Sequence, residues 1–260
     1  KPGSLKAVNC RNGYLQLLKF CREENIPHEI CGKIVVATSE KELPRLEELY
    51  RRGLANGLVG IRFLQAAEIR EIEPHCYGLR GLFVPQTGIV DYSAVARKYA
   101  EKLTEMGAEI VLGEVVVDIK RSDKQIEVIG TSRTWTSRAA VVCAGLQSDR
   151  LARMTEPDFP LRILPFRGEY YKLKASAQSF VRHLIYPVPD PEFPFLGVHF
   201  TRMIGGGVEC GPNAVFAFGR EAYRKTDFNL HDTWEALTWP GFHKVATKYW
   251  RNGLEEYYRS

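Results

Sequence analysis

The 260-residue sequence has no apolar run near the roughly 18 residues that a membrane-spanning helix needs, so a helical membrane protein is excluded. Its six cysteines (10, 21, 31, 76, 143 and 210) never approach closer than ten residues, so no CxxC pair for zinc or disulfide exchange exists. Scattered cysteines in a chain this size are expected to be buried thiols, which fits a reducing compartment. The six histidines (28, 75, 183, 199, 231 and 243) show no metal-ligand spacing, and His75 beside Cys76 has no third ligand near it in sequence. Neither H-E-x-x-H nor G-x-S-x-G occurs. A basic stripe is also missing: 36 Lys and Arg against 31 Asp and Glu give only +5, and the densest basic pairs stand beside acids. That argues against a nucleic-acid partner. Methionine is scarce, with three in all and the first at Met106. A chain that opens on Lys1-Pro2-Gly3 is expected to have its natural N-terminus upstream.

What is present belongs to a globular protein: 45% apolar, 26% charged and 11% aromatic residues. The length suits one large domain or two modest ones. Leu5 to about Asn25 places Leu5, Val8, Leu15, Leu18 and Cys21 at helical spacing. Lys33–Ala37 is a short apolar strand, and Ser39 with Glu42 forms a capping-box pattern before a second amphipathic helix. Strands are expected at 61–64 and 81–84, around a short charged helix that Pro74 stops. Asp91 predicts a cap for a helix at 92–106, with Gly107 at its stop. Strands are expected at 109–112, 115–119, 125–129 and 139–143, giving a layered α/β sheet with a small inserted hairpin.

From Leu161 to Gly211 the pattern becomes β segments rich in Pro and aromatics (163–173, 184–188, 195–200 and 207–210), which predicts a second, mainly antiparallel sheet. Gly205-Gly206-Gly207 lacks the context of a phosphate loop and reads as a hairpin turn, with Gly211-Pro212 as a further rigid turn. Helices close the chain, with Asp232 as a cap and Pro240 opening the last one. The fold class is thus α/β (α+β), in two interleaved domains.

Three groups of residues could carry chemistry. Cys143-Ala144-Gly145 ends an apolar run in small residues, either a close approach to a bulky ligand beyond a strand or a tight turn with no ligand. Arg167, Glu169, Tyr170, Tyr171, Tyr186, His199 and Arg202 are polar groups inside β segments. Arginine binds carboxylates bidentately and histidine accepts protons near neutral pH, although a solvated face with one satisfied core histidine also fits. The third group is the glycine turns.

Several segments together resemble one family. They are Pro2-Gly3-Ser4-Leu5-Lys6-Ala7, Cys31-Gly32-Lys33, Thr87-Gly88-Ile89-Val90-Asp91-Tyr92, Cys143-Ala144-Gly145-Leu146, Pro165-Phe166-Arg167-Gly168-Glu169-Tyr170, Ile185-Tyr186-Pro187-Val188-Pro189-Asp190, Pro194-Phe195-Leu196-Gly197-Val198-His199 and Gly211-Pro212-Asn213-Ala214-Val215. In this order they resemble the L-2-hydroxyglutarate dehydrogenases (oxidases), flavoenzymes of the D-amino-acid-oxidase fold superfamily. The match runs from residue 2 to about 228 and is that of the family's middle portion. The glycine-rich dinucleotide fingerprint and the C-terminal segment that closes over the flavin have no counterpart among these residues, so the 260 residues alone are expected to hold FAD weakly.

The resemblance implies FAD as cofactor and oxidation of L-2-hydroxyglutarate to 2-oxoglutarate. It implies a partial FAD-binding domain from 1–30 and 88–158, a substrate domain from 31–87 and 159–228, and C-terminal helices over 229–260. Val115, Cys143, Ala144, Gly145, Gly211 and Pro212 would lie by the flavin nucleotide. Arg167, Tyr170, Tyr186 and Arg202 would face the dicarboxylate, and His199 with Arg167 would serve catalysis. The electron acceptor would be a quinone or oxygen. The setting would be cytoplasmic, or peripheral on the inner face of a respiratory membrane. The alternatives are an amine or glycerol-phosphate oxidase of the same superfamily, or a non-catalytic module that retains the fold.

Overall fold

The computed structural model describes residues 1–191, 195 and 197–260. Part of the expected strand at 195–200 falls outside the described residues. The chain forms two compact units, 1–108 with 169–212 and 109–168 with 213–260. These cut the chain elsewhere than the expected domain boundaries, because residues 1–30 and 88–108 cluster with the large sheet.

The first unit begins with helix α1 (Leu5–Glu23), capped by Ser4, whose hydroxyl accepts from Ala7 N. Strand β1 (His28–Glu29) leads to β2 (Lys33–Ala37). Helix α2 (Leu43–Ala55) follows a short 3₁₀ turn in which Glu42 accepts from Ser39 N at 3.0 Å, so the expected capping interaction forms. Then come β3 (Arg62–Gln65), α3 (Ala66–Ile72), β4 (Arg80–Val84), β5 (Ile89–Val90) and α4 (Tyr92–Glu105). Asp91 caps α4 by accepting from Ala94 N at 2.9 Å, and Gly107 at φ 83° ends it, a conformation that glycine adopts without strain.

The second unit holds an antiparallel meander, β6 (Val116–Arg121), β7 (Ile126–Gly130) and β8 (Thr134–Ser137), then α5 (Ser148–Thr155). Strands β9 (Phe166–Lys172), β10 (Leu184–Pro187), β11 (His199–Arg202) and β12 (Val208–Phe216) complete the large sheet, and α6 (Leu230–Leu237) and α7 (Pro240–Arg259) end the chain. The sheet runs β3-β4-β2-β10-β11-β12-β9. Its registered pairs are antiparallel except β2 with β10, where Lys33 to Val36 pair in parallel with Leu184 to Pro187. Residues 166–168 of β9 and 213–216 of β12 count with the second unit.

Strand β2 is apolar from Ile34 to Ala37 because both its faces are covered there. Val35 and Ala37 pack with Leu46, Leu82 and Val188 beneath α2, while Ile34 and Val36 pack with Leu64 and Ile69 beneath α3. Tyr186 joins the first cluster and Ile185 the second, so the parity of β10 is fixed as well.

Several expectations are corrected. The runs at 109–112 and 139–143 are not strands. Leu112 is 87% exposed and Val141 88% exposed, since an apolar run becomes a strand only when a neighbouring strand takes its backbone hydrogen bonds, and no described strand pairs with either run. Gly211-Pro212 is no turn but lies within β12. A Cβ at Gly211 would stand 2.7 Å from the Glu169 carbonyl oxygen, so a glycine is needed for β9 to approach. Helix α6 is capped by Asn229, not Asp232, whose carboxylate accepts instead from Arg220 N at 2.8 Å. The glycine turn at 205–207 does join β11 to β12 as a hairpin, closed by Met203 N to Gly207 O at 3.0 Å.

Candidate functional site

Within the first unit, one face of the sheet gathers aromatic and basic side chains. His199 on β11 is 6% exposed, stacked on Tyr186 of β10 at 4.1 Å between ring centroids and 18° between planes. Tyr170 of β9 meets the same imidazole edge-on at 6.5 Å. The missing Cβ at Gly211, which pairs with His199 across β11 and β12, makes that approach possible: an added carbon would touch the Tyr170 ring at 2.8 Å.

The hydrogen bonds fix the chemistry of this face. His199 Nδ1 lies 3.0 Å from the Gly197 carbonyl oxygen. A carbonyl only accepts, so Nδ1 carries a proton, and in the neutral ring the lone pair is at Nε2. Burial pushes the Tyr186 phenol above its ordinary value, with the Thr201 hydrogen bond opposing it. Burial, and then the charge of Glu209, raises Tyr170. Both phenols are therefore O–H donors at neutral pH. The arrangement offers one proton acceptor flanked by two neutral donors.

Lys33, which stands first in β2, was not among the residues expected to serve the site. Its ammonium lies 5.0 Å from the Tyr186 ring centroid, and burial lowers its pKa.

The two arginine candidates do not join this group. Arg202 is three residues from His199 on a strand and so points to the opposite face. There it pairs with Glu29 at 3.0 and 3.3 Å and donates to the Arg182 carbonyl at 2.9 Å. Arg167 belongs to the second unit, where its Nη1 donates to the Ala222 and Arg224 carbonyls at 3.3 and 3.1 Å. Within β9, alternation also turns it away from the face that Tyr170 takes.

The nucleotide candidates Val115, Cys143, Ala144 and Gly145 are in the second unit, while Gly211 and Pro212 are in the first. Val115 is 63% exposed, Cys143 is exposed, and Gly145 (φ 50°) has no atom within 4 Å of where a Cβ would stand. Open backbone ending in small residues fits the close approach of a bulky cofactor such as FAD.

A nearly dry ion network holds that segment. Arg220, 3% exposed, binds Asp149 through both terminal nitrogens, donates to the Leu146 carbonyl at 2.5 Å and reaches Glu235 at 3.2 Å. Arg150 bridges Asp232 and Glu235, both at 2.6 Å, and donates to Gln147. Burial pushes the Asp149 carboxyl up, but hydrogen bonds from Arg220 and Ile163 N and the charges of Arg220 and Arg153 outweigh it and hold it at about 2. No group of three or more His, Cys, Asp or Glu fit to hold a metal occurs among the described residues, and no helix is long and apolar enough to cross a membrane.

The FAD dependent oxidoreductase family matches residues 4–256. The chain is 52% identical to L-2-hydroxyglutarate dehydrogenase of Indibacter alkaliphilus, covering all of this chain and 65% of that protein. It is 42% identical to the mitochondrial L-2-hydroxyglutarate dehydrogenase of Nematostella vectensis, covering 99% of this chain and 60% of that one. It therefore spans somewhat under two thirds of the length of these curated relatives. Among solved structures, the dithionite-reduced L-alpha-glycerophosphate oxidase of Mycoplasma pneumoniae with FAD bound superposes with a TM-score of 0.74 at 23% identity, over 88% of this chain and 62% of that one. That likeness speaks for the fold.

Proposed function

This chain belongs to the FAD dependent oxidoreductase family, and we propose that it forms the middle portion of an enzyme oxidising L-2-hydroxyglutarate to 2-oxoglutarate. The observation that carries this reading is the 52% identity, along the whole chain, to a protein named for that activity. The face built by His199, Tyr186 and Tyr170 supplies what the reaction needs from protein side chains.

Oxidising a secondary alcohol removes a hydride from carbon and a proton from oxygen. FAD, when bound, supplies the two-electron acceptor. His199 takes the hydroxyl proton at Nε2, and its Nδ1–H bond to the Gly197 carbonyl keeps the ring in the accepting tautomer. Tyr186 and Tyr170 donate hydrogen bonds to substrate oxygens and cover the site from water. Val115, Cys143, Ala144, Gly145, Gly211 and Pro212 are the proposed nucleotide contacts, within a flavin part at 1–30 and 88–158 and a substrate part at 31–87 and 159–228. Neither arginine candidate is kept for the substrate: Arg167 is engaged by the Ala222 and Arg224 carbonyls, and Arg202 by Glu29 on the other face of the sheet. The enzyme would work in the cytoplasm or at the inner face of a respiratory membrane.

The test is anaerobic reduction of the purified holoenzyme. L-2-hydroxyglutarate should bleach the flavin absorbance while the D enantiomer does not. Bleaching by glycine or glycerol phosphate, with no response to L-2-hydroxyglutarate, would refute the reading.

A further inference from the structure

Resting on that reading, we propose that Lys33 grips the distal carboxylate of the substrate and so sets the preference for a dicarboxylate. Three observations lead there. First, Lys33 lies on the site face: it shares parity with Val35 in β2, and its ammonium sits 5.0 Å from the Tyr186 ring. Strands β2 and β11 flank β10 on opposite sides, so the Tyr186 ring is held between Lys33 and His199. Second, the ammonium has no carboxylate partner and no hydrogen bond among the described residues, and its pKa is lowered by burial alone. A half-buried cation that, among the described residues, has a ring face and no anion beside it is left short of the charge that would offset its desolvation. Third, the arginines expected to serve this purpose are engaged elsewhere, Arg202 by Glu29 and Arg167 by backbone carbonyls.

The geometry also selects which carboxylate. With the substrate hydroxyl at His199, the carboxylate next to the reacting carbon stays on the His199 side of Tyr186. The carboxylate at the far end of the chain is the one that reaches across the ring to Lys33. A 2-hydroxy acid without a second carboxylate would leave the ammonium as it stands now, unpaired.

The experiment measures binding of glutarate and of butyrate to the full-length holoenzyme, for wild type, Lys33→Met and Lys33→Arg, by calorimetry or perturbation of the flavin spectrum. Neither acid carries a hydroxyl, so binding is read apart from turnover. Lys33→Met should weaken glutarate by about 10- to 100-fold, the size of a hydrogen bond to a charged group, and leave butyrate nearly unchanged. Lys33→Arg should retain most of the glutarate affinity. Glutarate binding unaltered in Lys33→Met, or equal losses for both acids, would overturn the proposal. The Met variant should also melt no lower than wild type, because removing an unpaired buried cation forfeits no ion pair. Wild-type turnover of L-2-hydroxyglutarate, measured beside it, tests the functional reading separately.

Discussion

Asp149→Ala should be among the most damaging single changes outside the site. Asp149 and Arg220 are 2% and 3% exposed and bound through both oxygens and both terminal nitrogens. The carboxylate also accepts from Ile163 N at 3.0 Å and Arg153 at 3.3 Å. Truncation leaves the Arg220 guanidinium buried with only Glu235 and the Leu146 carbonyl, and leaves the Ile163 N–H without its acceptor. Breaking a buried pair in this way costs about 3–5 kcal/mol, a large share of the 5–15 kcal/mol that a whole domain has. For a chain of this size that lowers Tm by roughly 6–20 °C. Urea denaturation followed by circular dichroism reads the loss directly. The double change Asp149→Ala with Arg220→Met should recover much of it, since the stranded charge is gone. The acid limb gives an independent check. A carboxyl held at about 2 against an ordinary 3.8 contributes stability that is complete above the ordinary value and lost as pH falls toward 2. Asp149→Ala should flatten that part of the pH profile. A loss below about 1 kcal/mol, or a double variant as unstable as the two singles combined, would refute the reasoning.

Other outcomes follow from the same structure. Glu73→Gln places an amide NH₂ among the donors Arg182 N, His183 N and His183 Nδ1, which a fully buried carboxylate now accepts; denaturant titration should show a loss of about 1–3 kcal/mol at unchanged m. Gly211→Ala forces a carbon against the Glu169 carbonyl and the Tyr170 ring, so it should cost about 1–3 kcal/mol and raise KM as Tyr170 leaves His199. Arg202→Met should leave KM unchanged while weakening the sheet by no more than about 1 kcal/mol, the usual scale of an exposed pair. A raised KM in that variant would return Arg202 to the substrate.

What the sequence disclosed divides along a physical line. Helix α4 was legible because Asp91, its apolar spacing and Gly107 are all local to it, and β2 was legible because five consecutive apolar or stem-bearing residues need no context. The run at 139–143 looks the same as β2 on paper. It differs in having no strand beside it among the described residues, which is a tertiary fact. At the site, His199 and the tyrosines stood out as polar groups in β segments, but grouping Arg202 with them ignored a three-residue offset that reverses the face. Lys33 was passed over because a lysine opening a strand normally reads as its solvated end. Its meaning depends on Tyr186, more than 150 residues away in the chain.

That distance bears on how the protein is made. Strand β2 finds β4 early, since only a helical hairpin's length separates them, but its other edge waits for β10. Until residues 184–187 have left the ribosome, the backbone donors and acceptors of Lys33–Val36 stay open, and the chain carries a bare, very apolar template for pairing with any passing strand. Residues 109–168 of the second unit must be synthesised during that wait. Slow translation just before the codons for β10 should therefore favour aggregation over yield, and conditions that shield unpaired strands should matter more for this chain than its final stability suggests.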